Sequence, residues 1–204
     1  MNFNRASLGS AFVLAFTLIP NAQASYTLNV NQTGSSVIAT GSGSINTAAL
    51  TISGTALDGS NVWPSDGVIS VGPNSFVELL TGISGPTSFG SGPQIFANLG
   101  TGTVTTLIAN LGGQGLYVPN GYVSGSALSA TATWNNQTLA GLGLTAGTYT
   151  YTWGSGGTAD SFVLNIVAPT TTTPTATPAP SSVYLVTAGL LGLAIFQLWR
   201  RKTA

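Results

Sequence analysis

Thr148-Tyr149-Thr150-Tyr151-Thr152-Trp153, a break at Gly154-Ser155-Gly156-Gly157, and then Ser161-Phe162-Val163-Leu164-Asn165-Ile166-Val167 is the stretch that decides the fold. In both runs every second residue is aromatic or aliphatic, and most residues between are Thr, Ser or Asn. A strand sends successive side chains to opposite faces, so this period of two predicts a hairpin with one face buried. The same pattern recurs upstream. Tyr26, Leu28 and Val30 share one face; Leu50, Ile52 and Ala56 form another; Leu128, Ala130, Ala132 and Trp134 form a third. Val68–Val71 and Phe76–Leu80 are further candidate strands, and Val104–Leu111 reads as a strand or a short helix.

Breaks rich in Gly, Asn and Pro separate these runs, and no long amphipathic helix interrupts them. The expected fold class is therefore all-β, an antiparallel β-sandwich or an open barrel, rather than α/β. Leu144-Thr145-Ala146-Gly147-Thr148-Tyr149 is similar to the Leu-x-x-Gly-x-Tyr corner of immunoglobulin-like domains, where a tyrosine hydroxyl bonds back to nearby backbone as a strand begins. A glycine turn before an aromatic strand has the same spelling, so the immunoglobulin-like form stands as one version of the sandwich.

Composition narrows the function. Charged residues make up 4% of the chain, against about 25% in an ordinary soluble domain. Between Ser25 and Ala168 the only charges are Asp58, Asp66, Glu78 and Asp160, with no Lys, Arg or His. Such a surface has nothing to neutralise a phosphate backbone, which argues against nucleic acid as a partner. The absence of cysteine excludes disulfides, thiolate metal sites and cysteine nucleophiles. Abundant Val, Ile, Leu, Tyr and Phe still supply a core, so low charge does not imply disorder here.

The two ends read as an address. Residues 1–24 carry Arg5, an apolar run from Leu8 to Ile19, a break at Pro20 and the small-x-small triplet Ala22-Gln23-Ala24, which predicts a signal peptide cleaved between Ala24 and Ser25. The exported domain then spans 25–168. Residues 169–182 form a Thr/Pro-rich stalk, in which Pro restricts helix and the Thr hydroxyls are either plainly solvated or O-glycosylated. Val183–Trp199 is uncharged and, at about 1.5 Å per residue, makes roughly 25 Å of helix, just enough to span a bilayer. Arg200-Arg201-Lys202 follows at once, so the short tail 200–204 is expected in the cytoplasm and the domain outside it. Ala188 and Gly192 put two small residues on one face of that helix, a weak signal for pairing.

Pro178-Ala179-Pro180, then Ser181-Ser182, an apolar helix and a basic end together resemble the PEP-CTERM sorting signal of Gram-negative bacteria. The resemblance implies a substrate of exosortase, a membrane enzyme that processes such tails and delivers the protein to the cell envelope or to the extracellular polysaccharide matrix. Ala179 stands where the family has Glu, which removes the one charge a processing enzyme could pair with. The resemblance runs from about Pro178 to Lys202 and assigns no chemistry to the exported domain.

Chemistry inside that domain is scarce. Asp58 and Asp66 are a conceivable carboxylate pair for a hydrolase or a calcium site. Both precede glycine, however, and Asp58-Gly59 and Asp66-Gly67 read better as turns in which the side chain bonds locally. No catalytic residue, metal ligand or cofactor site is assigned. Trp134 and Trp153 lie in phase with apolar neighbours and are expected inside, whereas Trp63, beside Pro64, is the candidate glycan contact. The expected function is a non-enzymatic envelope or matrix protein, the alternative a carbohydrate-binding module on the same anchor, and a hydrolase the third. Its expected partners are signal peptidase, an exosortase-like enzyme, the membrane and matrix polysaccharide. Mass spectrometry of the protein recovered from membrane and from medium should find Ser25 at the N-terminus and, if the tail is processed, a C-terminus near Ser181. An intact Arg200-Arg201-Lys202 end confined to membranes would mark a simple single-pass anchor.

Overall fold

The computed structural model describes residues 25–110 and 112–169. The expected signal peptide 1–24, stalk beyond Pro169, membrane helix 183–199 and basic tail lie outside the described residues. Among those described, no helix is long and apolar enough to cross a membrane. The structure is all-β.

The strands are β1 (Ser25–Thr33), β2 (Ser36–Ser44), β3 (Thr51–Asp58), β4 (Asn61–Trp63), β5 (Val68–Val71), β6 (Ser75–Thr81), β7 (Ile95–Phe96), β8 (Leu99–Gly102), β9 (Thr105–Ile108), β10 (Gly115–Pro119), β11 (Ala127–Asn135), β12 (Gly147–Trp153) and β13 (Asp160–Ile166). They form a six-stranded sheet in the order β12-β13-β1-β2-β11-β8 and a seven-stranded sheet in the order β3-β6-β10-β9-β5-β4-β7. Neither closes into a barrel. Pairing is antiparallel with one exception: β1 runs parallel to β13, so the expected all-antiparallel arrangement is corrected at its centre.

That parallel pair sets Tyr26 beside Phe162, Leu28 beside Leu164 and Val30 beside Ile166. All six side chains are buried, together with Val37, Ala39, Leu128, Ala130, Ala132, Trp134, Tyr151 and Trp153 from neighbouring strands. The alternation seen in the sequence is thus the inward face of the six-stranded sheet. Tyr26 and Phe162 rings lie 5.2 Å apart, and Tyr151 meets Phe162 edge-on at 6.5 Å, both within the usual range for aromatic pairs. Gly41 lies under the Tyr26 ring, where any Cβ would collide with the tyrosine hydroxyl.

The indole N–H groups of the buried tryptophans find backbone acceptors. Trp134 Nε1 donates to Ile95 O at 3.1 Å, tying β11 to β7 of the other sheet, and Trp153 Nε1 donates to Asn46 O at 2.8 Å. Tyr149 Oη donates to Thr145 O at 3.0 Å, the backward bond that the Leu144–Tyr149 spelling anticipates.

One open reading is resolved and two expectations change. Val104–Leu111 contains strand β9, with no helix in its described residues. Leu50, Ile52 and Ala56 do not form a buried face: Ile52 is exposed and the other two are half-buried. A bulge at Ser53 is the reason, because Ile52 pairs with Leu80 and Ala56 with Val77, which sit on opposite sides of β6. Trp63 ends β4 instead of standing in a loop.

Asp160 begins β13 and is buried, accepting hydrogen bonds from Asn46 N and Ser161 N, each at 2.6 Å. Burial raises its pKa above the ordinary 3.8, the two N–H bonds opposing the shift. A carboxyl whose folded pKa is raised stabilises the fold most below its unfolded pKa and loses that contribution as pH rises through the folded value. Urea unfolding of the wild type and Asp160→Asn between about pH 3 and pH 7 should show the wild type's stability relative to the variant falling with rising pH. A flat or rising difference would contradict the assignment.

Candidate functional site

The face of the seven-stranded sheet turned away from the core carries most of the polar chemistry. Strand register places one row across it: Asn61, Ser70, Thr106, Tyr117, Leu79 and Gly54, contributed by β4, β5, β9, β10, β6 and β3. The next row runs Trp63, Val68, Ile108, Gly115 and Thr81. Ser70 and Thr106 are buried although they stand on the outer face, because the sheet curls over them.

The curl is visible in one contact. Asp58 ends β3, three places from β9 and four from β5 in the sheet order, yet its Oδ2 accepts from Ser70 Oγ at 3.1 Å and from Thr106 Oγ1. The two hydroxyl oxygens are 2.8 Å apart. Thr106 Oγ1 is also placed to donate to Ser70 Oγ, so the two hydroxyls and the Asp58 carboxylate form one hydrogen-bonded cluster. Asp58 therefore does not bond locally as a turn residue would, which corrects the sequence expectation. Its side chain instead clasps the edge strand over the middle of its own sheet.

This rolled face encloses a cleft of about 170 Å³, lined among others by Trp63, Tyr117, Asp58, Asn61, Gln94 and Thr106. Gln94 Nε2 donates to Asn61 Oδ1 at 3.4 Å, and Asn61 Nδ2 donates to Gly59 O at 2.9 Å, so the amides are oriented. Burial raises the pKa of Tyr117, and the negative charge of Asp58 adds to the shift, so the phenol stays neutral. The cleft thus offers two aromatic surfaces, one carboxylate, two side-chain amides and hydroxyls.

Asp66 does not line the cleft. It lies in the 3-10 turn Pro64–Asp66, closed where Gly67 N bonds back to Pro64 O with Gly67 at a left-handed φ of 60°. The reading of Asp66-Gly67 as a turn holds, and the carboxylate pair does not assemble in this cleft. Glu78 stands on the opposite side of β6 from Leu79 and accepts from Gly121 N at 3.1 Å. Among the described residues, no group of three or more His, Cys, Asp or Glu side chains comes together to hold a metal ion.

Sequence reasoning found Trp63 but missed Ser70, Thr106, Tyr117, Asn61 and Gln94. The available signal lay in the short strands: Ser70 interrupts Val68-Ile69-Ser70-Val71, and Thr106 precedes Leu107-Ile108, so polar residues occupy runs that are otherwise fully buried. The chain matches no protein-family model, no curated protein and no solved structure.

Replacing Asp58 by Ala would leave the Ser70 and Thr106 hydroxyls without their shared acceptor, at a cost of about 1–3 kcal/mol. Asp58→Asn, which keeps a carbonyl oxygen there, should cost less. Urea unfolding of the three proteins gives the order; an Asp58→Ala variant as stable as the wild type would show that the clasp does not hold the sheet.

Proposed function

We propose that this chain is a non-enzymatic protein of a bacterial envelope or extracellular matrix. In this reading it is exported by the signal peptide ending at Ala24, presented on the 169–182 stalk, and tethered by the helix 183–199 with Arg200, Arg201 and Lys202 inside. Pro178-Ala179-Pro180 acts as a PEP-like sorting motif for an exosortase-like enzyme, which would release the domain to the cell surface or matrix. The bond from Tyr149 to Thr145 and the pairing of β13 with β12 support an immunoglobulin-like version of the sandwich.

The observation that carries the non-enzymatic reading is the single carboxylate in the cleft. Glycoside hydrolysis uses two carboxyl groups flanking one bond. Here Asp58 is the only one lining the cleft, and its Oδ2 is already engaged by Ser70 and Thr106. General acid-base catalysis would have no proton-transfer partner for it in the cleft other than Tyr117, whose pKa is raised away from neutrality.

A second reading is favoured by Trp63 standing in the same cleft as Tyr117. Aromatic faces beside amide and hydroxyl groups suit a neutral sugar ring, whose apolar face stacks while its hydroxyls exchange hydrogen bonds. A domain without Lys, Arg or His would take an uncharged polysaccharide in preference to an acidic one.

Polysaccharide pull-downs and glycan arrays with the exported protein test both readings. Saturable binding that is lost in Trp63→Ala and weakened in Tyr117→Ala, with the fold intact by circular dichroism, would establish the carbohydrate-binding module. Absence of binding to any neutral glycan would leave the structural envelope role. Glycan turnover abolished by Asp58→Asn would instead make the protein a hydrolase.

A further inference from the structure

Among the described residues, strand β3 is an open edge with no guard. It is the first strand of the seven-stranded sheet, and its backbone pairs only with β6. The other sheet edges are short or partly engaged: β7 has 2 residues and β8 has 4, while Ser84 N–H and C=O pair with Thr152 on the rim of β12. Natural sheets usually protect a long edge with lysine, proline or an inward charge. Thr51-Ile52-Ser53-Gly54-Thr55-Ala56-Leu57-Asp58 has no lysine or proline, and its one charge is drawn back over the sheet by Ser70 and Thr106.

The edge is also apolar on one side. Ile52 is 61% exposed, Leu57 60% and Phe76, the neighbour of Leu57 on β6, 70%. The bulge at Ser53 puts Ile52, Thr55 and Leu57 on the same side despite their odd spacing. That spacing is self-complementary. With two antiparallel copies related by a twofold axis at Thr55, Ile52 of each copy faces Leu57 of the other, Gly54 faces Ala56, and Thr51 faces Asp58. No like charges oppose, and every residue except the bulged Ser53 meets a partner on its own side of the sheet.

We propose that two copies of this chain pair through β3, joining their seven-stranded sheets into one continuous sheet across the twofold axis at Thr55. The backbone groups of β3 gain partners, and an apolar strip of Phe76, Leu57 and the other copy's Ile52 is covered.

Because the chain contains no cysteine, one introduced thiol reports the contact. Opposed residues of an antiparallel pair lie about 4.5–5.5 Å apart at Cα, within reach of a short bis-maleimide. In membranes carrying the full chain, Thr55→Cys should cross-link to a dimer, while Thr148→Cys on the exposed face of β12 should not. Adding Leu57→Lys to Thr55→Cys should abolish the product, since a lysine then faces Ile52 at both ends of the seam. Equal cross-linking from positions 55 and 148 would place association elsewhere, in the tail for instance, and overturn the proposal. So would no cross-linking at position 55, or cross-linking that survives Leu57→Lys.

Discussion

The parallel pairing of β1 with β13 connects the beginning of the β domain to its end. Ser25 and Ser161 are hydroxyl partners although 136 positions separate them, and Asn165 Nδ2 donates to Asn29 Oδ1 across the same seam. In the sheet order this pair lies between the β12–β13 hairpin and the β2–β11–β8 group, so without it the six-stranded sheet falls into two pieces and the Tyr26–Phe162 contact is lost. Such a seam joins the two ends of the domain, so it carries a loop-closure cost and forms only when the last strand is available.

A domain with almost no charge must satisfy its polar groups by other means, and the structure pairs many of them through hydroxyls and amides, although the buried Tyr26 and Tyr151 hydroxyls have no partner among the described residues. Thr101 and Thr131 hydroxyls meet at 2.7 Å on adjacent strands, Thr148 Oγ1 donates to Asn165 Oδ1 at 2.9 Å, and the indoles of Trp134 and Trp153 donate to backbone carbonyls. These neutral bonds cost less desolvation than ion pairs and are insensitive to salt. The same scarcity makes each remaining carboxylate prominent. Asp160 pins the 46 region to the start of β13, Glu78 caps Gly121, and Asp58 clasps the curled sheet.

Legibility in the sequence followed burial on one face. Where a strand packs one side on the core, as in Leu128–Trp134 or Phe162–Ile166, alternation predicted the buried residues correctly. It failed at Ile52 and Ala56, because a strand at the rim of a sheet has little above it and a bulge shifts its register without changing composition. It was also ambiguous for β9, where all four residues are buried and no alternation exists to separate strand from helix. Asp58-Gly59 misled for a different reason: a local turn dipeptide says nothing about strands that curl back from elsewhere in the sheet.

Alone, the sequence determined the all-β class, the aromatic final hairpin and the scarcity of titratable side chains, since these depend on residue type and neighbours a few positions away; the bond from Tyr149 to Thr145 chose the corner over a plain glycine turn. Only the tertiary structure decided that the first strand lies parallel to the last, that Trp63 shares a cleft with Tyr117, and that Asp58 bonds to Ser70 and Thr106. Those contacts join residues with no local relation in the chain. The contact of Asp58 with Ser70 and Thr106 exists because the seven-stranded sheet curls, bringing together side chains that strand periodicity places on one face but cannot place side by side.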